Sequence, residues 1–531
     1  MMNQHDTARF GALVDWSQQH GARLHPSVEI YLDPASKYSL RVGPSAAEGL
    51  QPGFAAVSCP ARITLSYLNA LVDGPLDLAT RSARLGQEAA AGAFPPRFTK
   101  AVPPYVLGRF FLIKEYLKGK DSFWWPYIAT LPSPEQVGAW ALPPFWPDHD
   151  IAYLEGTNAH VAIQEIQENV KREFKQARKL LKEEDFPDLA AYTQLLYKWA
   201  YCIFTSRSFR PSLIFSDAVK QSISALLPPG VQVDDFSVLQ PLLDIANHSP
   251  TAHYTWDTTS IPDTCQLICH DHYPPGAQVY NNYGFKTNSE LLLGYGFILP
   301  ETPSLHNDYV HVRKRAQQQQ GQQQEQRQVV EESQREPNSG GNSSNGGEPP
   351  PQSFLISLRP MTDPSSLAGL ARLASSSPAS RLASLPCFAH FEPALVDDLA
   401  GALATADEKE ALHRWDGRGP GPKDKDNDDD GGGGGGDDGG AEAAVGIVPE
   451  ELRELVDKIR GTLAGKVQYD YGRLMEVEGD EDDEGEEEGG EGGLPPPANR
   501  NQALAVEYRH QCAKVLLAAL EGLAVEDGLG Y

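Results

Sequence analysis

Asp244-Ile245-Ala246-Asn247-His248-Ser249 and, downstream, Tyr283-Gly284-Phe285-Lys286-Thr287-Asn288-Ser289-Glu290-Leu291-Leu292-Leu293-Gly294-Tyr295-Gly296-Phe297 are the stretches on which the fold turns. Thirty-six positions separate Asn247 from Tyr283, and twelve more lead to Tyr295. Neither half has the spacing of a metal, phosphate or nucleophile motif. Asn247-His248-Ser249 alone also suits a capped turn, because Asn and Ser readily bond their own backbone. Its surroundings add weight. Residues 238–245 (VLQPLLDI) are nearly all apolar and read as a continuous strand carrying Asp244 and Asn247 into the interior. A buried Asn-His pair needs polar partners. Residues 278–284 read as a strand ending in a turn, and Asn288 then reads as the N-cap of a helical turn.

The rest of the chain supplies context. Its 531 residues suggest two to four domains. The net charge of −27 is concentrated: residues 476–491 hold eleven acids and no base, and 424–442 hold eight acids and one lysine. Together these carry −18, so the remainder has the modest charge of ordinary folded domains. This argues against nucleic acid as the main ligand, since phosphate binding needs clustered Lys and Arg. Six cysteines lie at 59, 202, 265, 269, 387 and 512. Cys265 and Cys269 fit neither a zinc knuckle nor a CxxC motif, so reduced buried thiols and no zinc are expected. No stretch approaches the roughly 20 apolar residues of a membrane span, and the first residues lack a signal pattern. The expectation is a soluble intracellular protein, cytoplasmic with the nucleus also open, that binds no membrane.

Phe10, Leu13, Val14 and Trp16 recur at helical spacing, and Gly21 supplies a stop. Residues 38–68 read as short strands broken by Gly and Pro. From 70 to 205 the period turns helical. Residues 106–118 and 158–181 are amphipathic, and 189–205 are apolar nearly all round, as in a buried helix. Residues 206–300 return to strands and turns, giving a small sheet domain with a helical insertion. Segments 316–353, 416–446 and 477–500 are expected to be disordered. Between and beyond them lie helical islands at 364–384, 393–415, 449–464 and 501–524. The domain expectation is therefore 1–69 and 206–312 as the halves of the sheet domain around an insertion at 70–205. A linker at 313–353 leads to a helical domain at 354–531.

On these motifs the chain resembles the Rubisco large-subunit methyltransferase class of SET-domain proteins, non-histone branch. Residues 110–132 (FFLIKEYLKGKDSFWWPYIATLP) and 145–158 (FWPDHDIAYLEGTN) are similar to that class's helical insertion. Trp199-Ala200 and Ser206-Arg207-Ser208-Phe209 are similar to another of its lines, and the 244–249 and 283–297 blocks complete an ordered set. The resemblance implies an α+β fold: short strands around a pseudoknot-like active site, a helical insertion and a C-terminal all-helical domain. It implies S-adenosyl-L-methionine as cofactor and a protein substrate. Tyr283 would be the catalytic tyrosine. Arg207 and Asn247, with the backbone of His248, would hold the cofactor's carboxylate and amine, and Phe297 would pack on the adenine. Ser206, Phe209, Asp244 and Tyr295 would line the channel for the target side chain.

The chain departs from the class in its N-terminal glycine loop. Glu48-Gly49-Leu50-Gln51-Pro52-Gly53-Phe54-Ala55-Ala56 has a different glycine spacing, and Ala55 stands where a basic residue is sometimes found. Phe54 and Ala55 are the corresponding cofactor-site candidates. The cysteine-rich zinc segment of histone-type enzymes is absent from the sequence. The resemblance thus implies methylation of a lysine in a non-histone protein such as a ribosomal protein or elongation factor. Protein-histidine methylation and a catalytically silent binding module are the alternatives. A Rossmann-type small-molecule methyltransferase would need a Gly-rich strand-to-helix turn, which does not occur in a suitable context.

Overall fold

The computed structural model describes residues 2–77, 92–313, 353–417, 448–476 and 494–525. Residues 314–352, 418–447 and 477–493, which hold nearly all of the expected low-complexity segments, lie outside the described residues. The chain divides into two compact units. The first comprises Met1–Trp146, Gln164–Gly284 and Gly294–Gly296; the second comprises Pro147–Ile163, Phe285–Leu293 and Phe297–Tyr531.

The first unit opens with helix Gln4–Gln19, which buries Phe10, Leu13 and Trp16. It starts well before the apolar spacing does, because Asn3 Oδ1 accepts from Asp6 N at 2.8 Å and caps it. Such a cap contributes about 1 kcal/mol. The strands that follow are short and antiparallel: β1 (Arg23–Leu24), β2 (Val28–Asp33), β3 (Lys37–Val42), β4 (Phe54–Pro60) and β5 (Leu65–Ser66). After the insertion come β6 (Ser208–Phe209), β7 (Val238–Leu239), β8 (Tyr254–Asp257), β9 (Thr264–Cys269) and β10 (Gln278–Val279). They form three small sheets, ordered β1-β4-β9-β8, β10-β3-β2 and β5-β7-β6. Each sheet therefore joins strands from before and after the helical insertion, and this brings residues 31–60 beside residues 240–283.

Two elements of the insertion aim side chains at the later motifs. Helix Gln194–Arg207 is capped by Thr193 and buries every residue from 199 to 204, as its all-round apolar character predicts. It runs directly into β6, which leaves Arg207 at a helix–strand junction. Helix Pro104–Lys118 presents the buried Glu115, whose Oε2 accepts from Ser122 Oγ at 2.7 Å. Trp124, 1% exposed, donates from Nε1 to the carbonyls of Ile63 and Thr64 at 3.1 and 3.2 Å. Together they fix the short helix Trp125–Ile128 that carries Tyr127.

The expected continuous strand over 238–245 is not formed. β7 ends at Leu239, Leu242 takes a left-handed φ of 72°, and a single 3-10 turn, Leu243–Ile245, holds Asp244. Pro241 explains the break, since it has no N–H to give to a ladder.

The second unit combines helices with one antiparallel pair, β11 (Tyr309–Arg313) with β12 (Ser353–Ser357), so strands accompany the expected helical islands. Helices Glu450–Glu476 and Arg500–Leu523 each bury an apolar face, with Leu455, Ile459 and Val467 on the first and Tyr508, Val515 and Leu516 on the second. Arg509, fully buried, donates to the carbonyls of Glu155 and Leu474. Asp150 accepts from Asn499, Asn501 and Gln502 at 2.8, 2.9 and 2.8 Å, which seats the start of the last helix. At helix Asn288–Tyr295 the cap is Thr287 rather than Asn288. Thr287 Oγ1 accepts from Glu290 N at 3.3 Å, and Glu290 Oε2 accepts from Thr287 N at 2.7 Å. Asn288 instead joins a buried cluster, donating to Asp308 Oδ1, the Leu299 carbonyl and Gln511 Oε1.

Candidate active site

The two sequence motifs meet side by side. His248 and Asn281 form a parallel bridge, flanked by Asn281 N donating to the Asn247 carbonyl and Ser249 N to the Asn281 carbonyl, both at 2.8 Å. Immediately after it, Tyr283 N donates to His248 Nδ1 at 3.0 Å. The Tyr283 ring stacks between His248 (5.0 Å, 17°) and Tyr295 (4.8 Å, 28°). Its hydroxyl donates to the Ala246 carbonyl at 2.9 Å. One aromatic side chain is thereby fixed by two stacks and by hydrogen bonds at both its backbone and its tip. Burial raises the Tyr283 phenol pKa above its ordinary range, Arg207 opposing and Asp244 reinforcing, so the group stays protonated.

Asp244 is the electrostatic centre, with its side chain only 1% exposed. Its Oδ2 accepts from Tyr127 Oη at 2.9 Å and from Arg207 Nη1 at 3.3 Å, and Arg207 Nη1 also reaches the Asp244 carbonyl at 3.3 Å. Its Oδ1 is buried without a hydrogen-bond partner among the described residues. Burial raises the carboxyl pKa, while Arg207 and Tyr127 pull it back. For Arg207 burial works against the charge, yet Asp244, Tyr127 and Tyr283 outweigh it and the pKa rises. The Arg207 side chain as a whole remains 31% exposed.

Asn247 is held from the opposite side. Its Nδ2 donates to Ser36 Oγ at 2.7 Å and to Gln278 Oε1 at 2.8 Å. Gln278 also accepts from the buried Ser39 Oγ at 2.8 Å and donates to Tyr31 Oη at 2.9 Å. Burial and Asp33 push the Tyr31 phenol up to about 12.

The structure thus brings together Arg207, Asp244, Asn247, His248, Tyr283 and Tyr295. Ser206 and Phe209 flank Arg207 at the helix–strand junction. Ser206 Oγ donates back to the Cys202 carbonyl at 2.8 Å, and Phe209 packs edge-on against Trp256 at 5.4 Å. Phe54 and Ala55 begin β4, while Cys59, near its far end, is the residue of that strand that feels the Asp244 charge. Phe54 is engaged by His25 and Tyr273, at 5.7 and 5.9 Å. Phe297 belongs to the second unit and is half-buried there. In the glycine loop, Gly49 has φ 66°, and a Cβ there would stand 2.4 Å from the Tyr273 carbonyl. Leu50 and Tyr273 exchange both backbone hydrogen bonds, so Gly49 is required for strand approach.

Sequence reasoning missed Tyr127, Gln278, Ser36 and the Ala246 carbonyl. Tyr127 lies in a motif already singled out, but nothing local links it to a carboxylate 117 positions away. All six cysteines are buried. Among the described residues no group of three or more His, Cys, Asp or Glu could hold a metal ion, and no helix is long and apolar enough to cross a membrane.

The residues present suit the polar end of S-adenosylmethionine. Arg207 offers a cation for a carboxylate, and Asn247 Oδ1, which accepts no hydrogen bond among the described residues, offers an acceptor for an amine. No family model matches the chain. It is 29% identical over 315 residues to the ribosomal lysine N-methyltransferase set10 of Schizosaccharomyces pombe, covering 57% of this chain and 50% of that protein. It is 25% identical over 313 residues to the N-lysine methyltransferase SETD6 of Bos taurus, covering 58% of this chain and 61% of that one. The match therefore spans half to three fifths of these relatives' length. Among solved structures, Rubisco LSMT bound to AdoMet superposes with a TM-score of 0.52 at 15% identity, over 97% of this chain and 91% of that chain. By its architecture the chain has the fold of Rubisco LSMT, and in sequence it is similar to lysine N-methyltransferases over about half of their length.

Proposed function

We propose that this chain is an S-adenosylmethionine-dependent methyltransferase that modifies a lysine side chain of a non-histone protein. The observation that carries the reading is the fixation of Tyr283, stacked on both faces with its hydroxyl on the Ala246 carbonyl, beside the Arg207–Asp244 pair. The two relatives support it, since one is named a ribosomal lysine N-methyltransferase and the other an N-lysine methyltransferase.

S-adenosylmethionine, when bound, supplies a methyl group already activated on a sulfonium. What remains for the protein is alignment, because in-line transfer is a positioning problem. With its proton committed to Ala246, the Tyr283 oxygen presents lone pairs, the group suited to weak CH···O contacts with a polarised methyl. Arg207 and Asn247 are the residues that would hold the cofactor's carboxylate and amine. Each is itself braced, Arg207 by Asp244 and Asn247 by Gln278 and Ser36. A lysine must lose its ammonium proton before transfer; burial favours the uncharged amine, whereas the Asp244 carboxylate favours the ammonium that first arrives.

Calorimetry of S-adenosylmethionine binding, wild type against Asn247→Ala, tests the cofactor assignment. Absence of binding by the wild type sinks the enzyme reading. Labelling a hypomethylated cell extract with radioactive cofactor, followed by amino-acid analysis, tests the rest. Methyl-lysine supports the proposal, methyl-histidine moves the target to an imidazole, and binding without labelling favours a silent module.

A further inference from the structure

Asp244 is hydrogen-bonded through one carboxylate oxygen and not through the other. Tyr127 and Arg207 both donate to Oδ2, at 2.9 and 3.3 Å, whereas Oδ1 is buried with no partner among the described residues. A buried carboxylate oxygen is costly to leave unsatisfied, so its partner is to be sought in a molecule that enters the site. The carboxylate cannot readily turn to satisfy Oδ1 from within, because two donors fix Oδ2 and Arg207 also holds the Asp244 carbonyl. Tyr127 is itself rigid. It is 1% exposed, on a short helix anchored by Trp124 and, through Ser122, by Glu115.

We propose that Tyr127 is a positioning residue that holds Asp244 with Oδ1 reserved for an N–H of the incoming lysine. The inference rests on the methyl-transfer reading and adds to it the group that receives the substrate amine. Tyr127 touches neither reactant; it acts through Asp244. The groups around Asp244 are Tyr127 on helix Trp125–Ile128, Arg207 at the end of helix Gln194–Arg207, Cys59 on β4 and Tyr283 after β10. Among them Arg207 is the only cation, and Tyr127 is the neutral donor that favours the ionised carboxylate. Loss of one hydrogen bond to a charged group raises a carboxyl titration midpoint by about one pH unit.

The test uses the full chain labelled with aspartate carrying 13C at Cγ, the Asp244 signal being assigned by its loss in Asp244→Asn. Tyr127→Phe should raise the Asp244 midpoint by about one pH unit. Tyr67→Phe, at another buried tyrosine of the same unit packed on Phe236, should leave it unchanged. With S-adenosylhomocysteine present, free L-lysine should lower the wild-type midpoint. L-norleucine, which lacks the side-chain ammonium, should not. The lysine arm does not use Tyr127→Phe, so it remains decisive if that variant folds poorly. An unmoved midpoint in folded Tyr127→Phe, or equal responses to lysine and norleucine, overturns the proposal. A wild type that fails to bind S-adenosylmethionine instead overturns the methyl-transfer reading beneath it.

Discussion

Tyr283→Phe separates the chemistry of the site from its architecture. The substitution removes one oxygen and keeps the ring, so both stacks, on His248 at 5.0 Å and on Tyr295 at 4.8 Å, survive. The backbone bond from Tyr283 N to His248 Nδ1 survives as well. What is lost is the 2.9 Å bond to the carbonyl of Ala246, a residue only 1% exposed. An orphaned buried acceptor costs about 1–3 kcal/mol, and a small cavity in place of a hydroxyl adds little. The variant should therefore fold, with a melting temperature lower by a few degrees, about 2–4 °C per kcal/mol for a domain of this size. The catalytic loss should be larger: removing one preoriented polar group from a transfer site costs about 10²–10³ in kcat. Affinity for S-adenosylmethionine should stay within about threefold, because Arg207 and Asn247 are untouched. Calorimetry gives the affinity, differential scanning gives the stability, and radiolabel transfer to a hypomethylated extract gives the rate. Wild-type transfer by the variant would remove Tyr283 from the chemistry. A rate loss matched by an equal loss of cofactor affinity would make Tyr283 a scaffold residue only.

Gln278→Leu keeps the side-chain size but strips the acceptor for Ser39 and Asn247 and the donor to Tyr31. With Ser39 fully buried, urea unfolding should show a loss of about 2–4 kcal/mol, and cofactor affinity should drop about tenfold because Asn247 loses a brace. Unchanged affinity would detach Asn247 from the cofactor. In the second unit, burial lowers His306 and His311 to about 4 from 6.5 and raises Asp308 to about 6 from 3.8. Between pH 6 and 4 the unfolded chain takes up two histidine protons that the folded unit refuses, while the folded unit keeps one aspartate proton that the unfolded chain releases. For these three groups the balance is one proton in favour of the unfolded state, so their joint contribution to stability should fall on acidification by about 1.4 kcal/mol per pH unit in that window. Hydrogen exchange of helix Arg500–Leu523 at pH 7 and pH 5 measures it; equal protection at the two pH values would contradict the assignment.

Much of the fold was legible wherever periodicity and composition reported burial. The buried helix now bounded at Gln194–Arg207, the helix at Pro104–Lys118 and the long helix Asn158–Glu183 all follow from apolar spacing. The N-terminal helix was placed too late because its first turn is set by the Asn3 cap rather than by an apolar face. At the second motif the helix start was assigned to Asn288, although Thr287 with Glu290 makes the capping box; both residues are plausible caps, and only the tertiary demand of Asp308 and Gln511 on Asn288 decides between them. Within the site, Asn247, Asp244 and Tyr283 could be read because they lie in compact motifs. Tyr127, Gln278 and Ser36 could not, since their roles exist only as contacts with residues 117, 31 and 211 positions away.

The misread strand at 238–245 shows how a local irregularity makes the site possible. Had β7 continued to Ile245, the carbonyls of Asp244 and Ala246 would have faced a ladder partner, and alternate side chains would have pointed to opposite faces. Gln240, Leu242 and Asp244 would then have shared one face of the sheet. Pro241 removes a donor, Leu242 turns the chain through a left-handed φ of 72°, and the 3-10 turn that follows releases both carbonyls. The Asp244 carbonyl goes to Arg207, and the Ala246 carbonyl goes to the Tyr283 hydroxyl. An apolar run with a proline in it is ambiguous between strand and turn by composition alone. Here the turn is what converts main-chain oxygens, which a sheet would have consumed, into the acceptors that fix Arg207 and Tyr283.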